Sequence, residues 1–359
     1  MPIKLPPFFL LFTLGLSGHV AAKMLGFNFV AEGFEGPFSY DDPESISSLA
    51  VARSAGVNSF TLSFPWYIES INSTGPIYPV SGGCPTGAPF NNASSPSNAS
   101  VVTAIRAIHA LGASVVLRPL IDPHWSATQK GSDWWRGEIG THFTPAQWDA
   151  FFASYTDFIL FWAGVAAAEE VETFCIGGEL SDTQSQSTHW RALFSRVRAV
   201  FPGIVYYSST DSPVDWWDAS DYIAVDMYPS LSSATADPTE VSVASLVAAW
   251  EPYLQKYHNL SLAYGKPLLM QETGICSVNK VGLYSQPAFF ECYGLPLDQD
   301  VQKKYYEAIL LGPFSKPWVT GIAFWKWGAQ GGPNDPTFFP LNKSAMQVFQ
   351  NFSEVMRPS

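Results

Sequence analysis

Residues 171–180 read Val-Glu-Thr-Phe-Cys-Ile-Gly-Gly-Glu-Leu. Phe174, Cys175 and Ile176 form the short apolar run of a buried strand, and two glycines follow it. Glycines there end the strand and let the backbone come close to a neighbour. Glu179 then stands just past the strand's C-terminal end. A charge at that point is poorly explained by a strand core. It is well explained in a parallel barrel, where the C-terminal strand ends carry the active site. Alone, Glu179 reads as a glutamate opening a loop. A second stretch, residues 267–274 (Pro-Leu-Leu-Met-Gln-Glu-Thr-Gly), changes that reading, because it repeats the order of apolar strand, terminal Glu272 and then Gly.

Around these two stretches the chain alternates strand-like and helix-like segments. Strands are expected at residues 24–31, 58–64, 114–120, 171–177, 204–208, 222–226, 267–271 and 319–325. Helices are expected at 43–55, 99–111, 145–168, 187–200, 240–257, 298–311 and 341–355, with a short segment around Trp216 and Trp217 standing in for the fifth. Pro43 suits a first helical turn, and Gly56 and Gly112 lie just past helix ends. Alternating β and α units imply a parallel sheet, and eight of them imply a closed one. The expected fold class is therefore α/β: a single (β/α)8 TIM barrel over residues 23–359, with long βα loops at 65–98 and 121–144. A doubly wound nucleotide-binding sheet is disfavoured, since no G-x-G-x-x-G or phosphate-binding loop follows a strand.

Composition narrows the function. Of 359 residues, 47% are hydrophobic and 14% charged, which describes a globular chain with a large core. A net charge of −12 argues against nucleic acid as a partner. The 13 tryptophans exceed what core packing ordinarily uses, and flat sugar-stacking surfaces would absorb the excess. The first 22 residues read as a signal peptide: Lys4, an apolar stretch from Phe8 to Leu16, and a small-residue site at Val20-Ala21-Ala22. That stretch is too short to span a bilayer, and no later segment reads as a membrane helix. Six Asn-x-Ser/Thr sequons, at Asn72, Asn92, Asn98, Asn259, Asn342 and Asn351, agree with export. A secreted, extracellular monomer is expected, without membrane attachment once the signal is removed. Cys276 and Cys292 flank one loop and are the expected disulfide. Cys175 is expected to be a buried thiol, and Cys84 is left either free or bridged to a neighbouring loop.

In a barrel of this kind Glu179, after strand four, and Glu272, at the end of strand seven, face each other across the mouth. Two opposed carboxyl groups are what glycoside hydrolysis needs. One protonates the leaving oxygen, and the other attacks the anomeric carbon or activates water, at separations of ~5–5.5 Å for retention and ~6.5–9.5 Å for inversion. No G-x-S-x-G or H-E-x-x-H competes for the chemistry, and the mechanism calls for no metal and no cofactor.

Several passages carry a family likeness: Trp134-Trp135-Arg136-Gly137-Glu138-Ile139; residues 174–180; 190–198 with Pro202-Gly203; 221–229; 265–274; and 321–327. Their order and spacing resemble the (β/α)8 glycoside hydrolases of clan A, most closely the family 113 β-mannanases, over most of the barrel. The resemblance implies a retaining enzyme acting on β-1,4-mannan, with Glu179 as acid/base and Glu272 as nucleophile. Other β-glycans, and a non-catalytic carbohydrate-binding barrel, are the alternatives. The resemblance also implies that Tyr228 bonds the nucleophile and that Trp325 floors the subsite beside the scissile bond. Trp327 divides evenly between cleft and packing. Arg118, near the end of strand three, needs a carboxylate partner and either tunes the site or is structural. His124 and Trp125 are candidates for the cleft wall, and Trp66, Trp135 and Arg136 for sugar platforms at outer subsites. Asp226 is read as capping strand six. Many clan members carry Asn before the acid/base, where this chain has Gly178.

Overall fold

Five helices open on a side-chain cap that satisfies free N–H groups of the first turn. Asp42 caps α1 (Pro43–Ser54) and Ser97 caps α2 (Asn98–Ala110). Thr144 and Gln147 form a reciprocal capping box at α3 (Pro145–Ala168), and Ser242 with Ser245 forms another at α5 (Val243–Tyr264). Asp298 caps α6 (Gln299–Leu311), while α4 (Ser187–Arg198) and α7 (Ala345–Met356) complete the set. The structure is a computed structural model describing residues 23–30, 39–80, 94–124, 135–210, 213–285, 291–329 and 331–356.

Between the helices lie β1 (Met24–Val30), β2 (Ser59–Ile68), β4 (Ser114–Pro123), β5 (Thr173–Gly178), β6 (Ile204–Ser209), β7 (Ile223–Asp226), β8 (Leu268–Glu272) and β9 (Val319–Trp327). All eight pair in parallel, and β1 pairs with both β2 and β9, so the sheet closes on itself. This is the expected (β/α)8 barrel. A two-residue strand, β3 (Ile77–Tyr78), adds antiparallel to the end of β2.

Alternation along the strands sorts the side chains. Phe27, Phe60, Leu62, Phe64, Ile322 and Phe324 point outward into the layer shared with the helices. Inside the barrel, Val116, Cys175, Tyr206, Ala224 and Leu269 make a separate apolar plug. Above it lies a polar layer. The Gln271 amide donates to Asn28 and Thr61, Tyr206 donates to Gln271, and Ser63 donates to Asn28. The carboxylates stand on top of this layer.

Three differences from the sequence expectation have physical causes. The expected second strand stops at residue 64, just before Pro65, which offers no N–H to the ladder. Yet β2 and β4 stay in register for ten pairs, from Ser59 opposite Ser114 to Ile68 opposite Pro123. Trp66 therefore lies within a strand and not on a loop. The fifth helix is only a 3-10 turn, Trp217–Ala219; the stacked indoles of Trp190 and Trp216, 5.1 Å apart, fill the space beside it. Finally, α3 is long and apolar enough, by length and composition, to cross a membrane. Ten of its side chains, Trp148, Phe151 and Trp162 among them, are buried in the fold, which accounts for its composition.

The Cys276–Cys292 disulfide forms as expected, and Cys175 is buried and free. Residues 1–22, Cys84 and Asn92 lie outside the described residues. The other five sequon asparagines are exposed.

Candidate active site

Each of the two glutamates follows a break in strand register. From Cys175 to Gly178, β5 advances three residues while β6 advances two, Tyr206 to Ser208. The extra residue is a β-bulge. Ile176 and Gly177 both face outward, because a Cβ on Gly177 would meet Tyr155, Trp190 and Tyr207 of the outer layer. Gly178 therefore faces inward, and Glu179 emerges at the barrel mouth in a left-handed conformation, φ +59°. That region is uncommon for a residue with a Cβ. Two hydrogen bonds hold it there: the Glu179 N–H donates to the Ser208 carbonyl (2.9 Å), and the Ser181 N–H donates to the Glu179 carbonyl (3.0 Å). On the far side, β8 gains a residue against β7, with Val225 opposite Met270 but Asp226 opposite Glu272. Gln271 and Glu272 thereby both serve the barrel interior.

Arg118 is fully buried and joins the carboxylates from below. Its Nη1 donates to Glu272 Oε1, and its Nη2 donates to Asp226 Oδ2 at 2.7 Å. Ser208 donates to the other oxygen of Asp226 (2.7 Å), and the Tyr228 hydroxyl donates to Glu272 Oε2 (3.0 Å). Glu272 thus has a donor on each oxygen, which fixes its orientation. Burial, followed by the charge of Glu272, holds Tyr228 well above its ordinary titration range, so it stays a phenol able to donate. Asp226 is not a strand cap but the second anion on Arg118. Burial pushes its carboxyl upward against the pull of Arg118.

Glu179 is in a different electrostatic position. Burial raises its carboxyl from 4.5 to about 7, with help from the Glu272 charge and against Arg136 and Arg118. Its side chain keeps 23% of its surface exposed, as contact with a ligand requires. Arg136 approaches it to only 3.9 Å, since its guanidinium is committed in fork geometry to Asp122 at 2.8 and 3.0 Å. A carboxyl poised near neutrality opposite an anchored one is the pattern of an acid paired with an acceptor.

The remaining candidates divide. Trp325 is partly exposed and lies on the inner face of β9; its peptide bond to Lys326 is cis, and the buried Lys326 ammonium sits 5.8 Å from its ring. Trp135 is also partly exposed and folds its ring over Gly137. His124 is half-buried and tied to Tyr78, with Nδ1 3.1 Å from the hydroxyl. Trp125 lies outside the described residues.

Three candidates are corrected. Trp66 alternates outward and packs on Phe158, Phe161 and Trp162 of α3, so it is no sugar platform. Arg136 is buried and bonded to Asp122, a support of the site and not an outer subsite. Trp327 is fully buried. Opposite it, β1 advances two residues while β9 advances three, which turns Trp327 onto the outer face against Phe27, with its indole donating to Ser48 of α1. Asp122 and Ser208 were missed. Asp122 does carry a signal, an acid two residues past the apolar part of a strand, but Ser208 resembles any small strand residue.

Comparison with known proteins agrees with this architecture. The sequence model of Glycoside Hydrolase Family 113 matches residues 32–337. No curated protein sequence matches the chain. The family 113 β-mannanase of Alicyclobacillus acidocaldarius is 25% identical, with a TM-score of 0.73 over 93% of this chain and 98% of that one. A family 113 β-1,4-mannanase solved as a complex is 18% identical, with a TM-score of 0.74 over 94% and 100% of the two chains. A β-glucuronidase of Bifidobacterium dentium shares the fold at 12% identity and a TM-score of 0.57, over 94% of this chain and 47% of its own. The family match runs from just before α1 to just past β9, taking in seven of the eight barrel strands and both glutamates. The chain therefore belongs to glycoside hydrolase family 113.

Proposed function

We propose that this glycoside hydrolase is a retaining β-mannanase, with Glu179 as acid/base and Glu272 as nucleophile. The observation that carries the reading is the unequal environment of the two carboxyls. Glu179 is pushed to about 7, and Glu272 is held on both oxygens by Arg118 and Tyr228. In the first step the Glu179 proton passes to the glycosidic oxygen as the bond to the anomeric carbon breaks. Glu272 Oε bonds to that carbon, leaving a glycosyl ester. Glu179, now a carboxylate, takes a proton from water, whose oxygen displaces Glu272 and completes the hydrolysis. The two mannanases of similar fold support mannan as the substrate.

Secretion belongs to the same proposal. It is supported by the signal-like first 22 residues, the disulfide and the five exposed sequon asparagines.

The test is incubation with mannan, glucomannan, cellulose, xylan, chitosan and β-glucan, reading new reducing ends and, by NMR, the anomer first released. New β-anomer ends from mannan are expected. Release of the α-anomer would overturn retention, and cleavage confined to another glycan would overturn the substrate.

A further inference from the structure

One of the two hydrogen bonds already described ends on the carbonyl of the Glu179–Leu180 peptide, and the N–H of that same peptide points the other way, into the outer layer of the barrel. A buried tyrosine on the neighbouring strand takes up that peptide. The Leu180 N–H donates to the Tyr207 hydroxyl at 3.0 Å. Tyr207 sits on the outer side of β6, fully buried, with its ring 4.8 Å from that of Trp190 and 5.1 Å from that of Trp216. Gln184, in the turn that follows Glu179, donates from its amide to the same hydroxyl (2.9 Å) and to Ser209 (3.0 Å). The backbone of that turn is fastened in its own right. The indole of Trp216 donates to the Gln184 carbonyl (2.9 Å), and the indole of Trp190 donates to the Thr183 carbonyl (3.0 Å). Every attachment runs from the outer layer of the barrel to the segment that carries Glu179.

We infer that Tyr207, seated by Gln184, is a positioning residue for Glu179: it holds the left-handed turn that aims the carboxyl into the barrel mouth, without touching substrate itself. The alternative role of a proton carrier does not fit, since burial keeps the phenol far above the range in which it would ionise. Removal of the hydroxyl leaves the Leu180 N–H buried without its acceptor, and the turn then relaxes. A carboxyl displaced even slightly protonates a leaving group poorly, because proton transfer demands near-attack geometry.

This inference rests on the reading of Glu179 as acid/base, and leaving-group dependence separates the two. An unactivated sugar leaving group needs a proton; dinitrophenolate does not. The experiment compares kcat/KM, which reports steps up to the first bond cleavage, on mannohexaose and on the 2,4-dinitrophenyl β-glycoside of mannobiose. Tyr207→Phe is expected to lose about ten- to a hundredfold on mannohexaose yet stay within about threefold of wild type on the activated glycoside. Gln184→Met, which frees Tyr207 but keeps its bond to Leu180, is expected to show the same split in smaller degree. Glu179→Gln is the reference and must show the split most strongly. If Tyr207→Phe loses equally on both substrates, or on neither, the positioning role is overturned while Glu179 keeps its assignment. If Glu179→Gln shows no split, the acid/base reading itself fails.

Discussion

Arg118 and Gly178 compete for one space. A Cβ built on Gly178 would stand 2.6 Å from Nη2 of Arg118 and 3.2 Å from its Nε. The same Nη2 bonds Asp226, and its twin Nη1 bonds Glu272. A side chain at position 178 and the guanidinium of Arg118 beneath Glu272 therefore cannot both keep these places: one of them must shift.

Gly178→Ala is expected to push the guanidinium off its two anions. The overpacking costs about 1–3 kcal/mol of stability, read by denaturant unfolding. Turnover falls further than stability explains, by at least about tenfold, because Glu272 loses the donor that orients it. Gly178→Asn is expected to be worse. A Gly178→Ala enzyme of near-normal kcat/KM would show that Arg118 can move without consequence.

With Glu179 in the proposed role of acid, the rate should fall as pH rises through about 7, where its carboxyl gives up the proton. Since the Glu272 charge is one cause of that elevation, Glu272→Gln should move the Glu179 titration downward. Carboxyl-carbon NMR of the labelled variant checks this. An unmoved titration would mean that the two carboxyls do not sense each other.

Glu179 also bears on stability. Its folded value, about 7, exceeds the ordinary 4.5, so the folded state binds the proton more tightly than the unfolded chain does. The resulting stabilisation is complete below the unfolded value and is lost as pH rises through the folded one. Glu179→Gln removes the liability, which is at most about 3 kcal/mol above pH 7. A Tm higher by a few degrees is expected at pH 8, with little difference at pH 4. The opposite ordering would contradict the assigned environment.

The two tryptophans of β9 should separate cleanly. Trp325→Ala, on the inner face, is expected to raise KM for mannan with little change in Tm. Trp327→Ala removes a fully buried ring and its bond to Ser48, and should cost about 3–5 kcal/mol of stability. Fluorescence-monitored unfolding together with initial rates distinguishes them. A KM effect confined to Trp327→Ala would reverse the placement.

The barrel and its two glutamates were legible because each rests on a local pattern: apolar runs of strand length, glycines beyond them, and a charge where a core strand should have none. The sequence places Trp66 wrongly and leaves Trp327 evenly divided, because their facing depends on register, which a neighbouring strand decides. Pro65 hid the continuation of β2, and the extra residue of β9 opposite Phe27 and Phe29 turned Trp327 outward. Arg136 reads as a platform in the sequence because its partner, Asp122, lies fourteen positions back along the chain. Ser208 carries no such signal: its importance comes from lying under Asp226 and beside Glu179, neither of which is near it in sequence.

The paired bulges before Glu179 and Glu272 mean that chemistry in this enzyme is encoded partly by counting. A straight β5 of the same residues, without the bulge, would turn Gly178 to the outer face and carry Glu179 one position further along its neighbour, while the hydrophobic pattern still read as a sound strand. Graft designs that copy the glutamates onto another barrel must therefore copy the surplus residue too. Likewise, two barrels aligned by their apolar periodicity alone will set their acids one position apart.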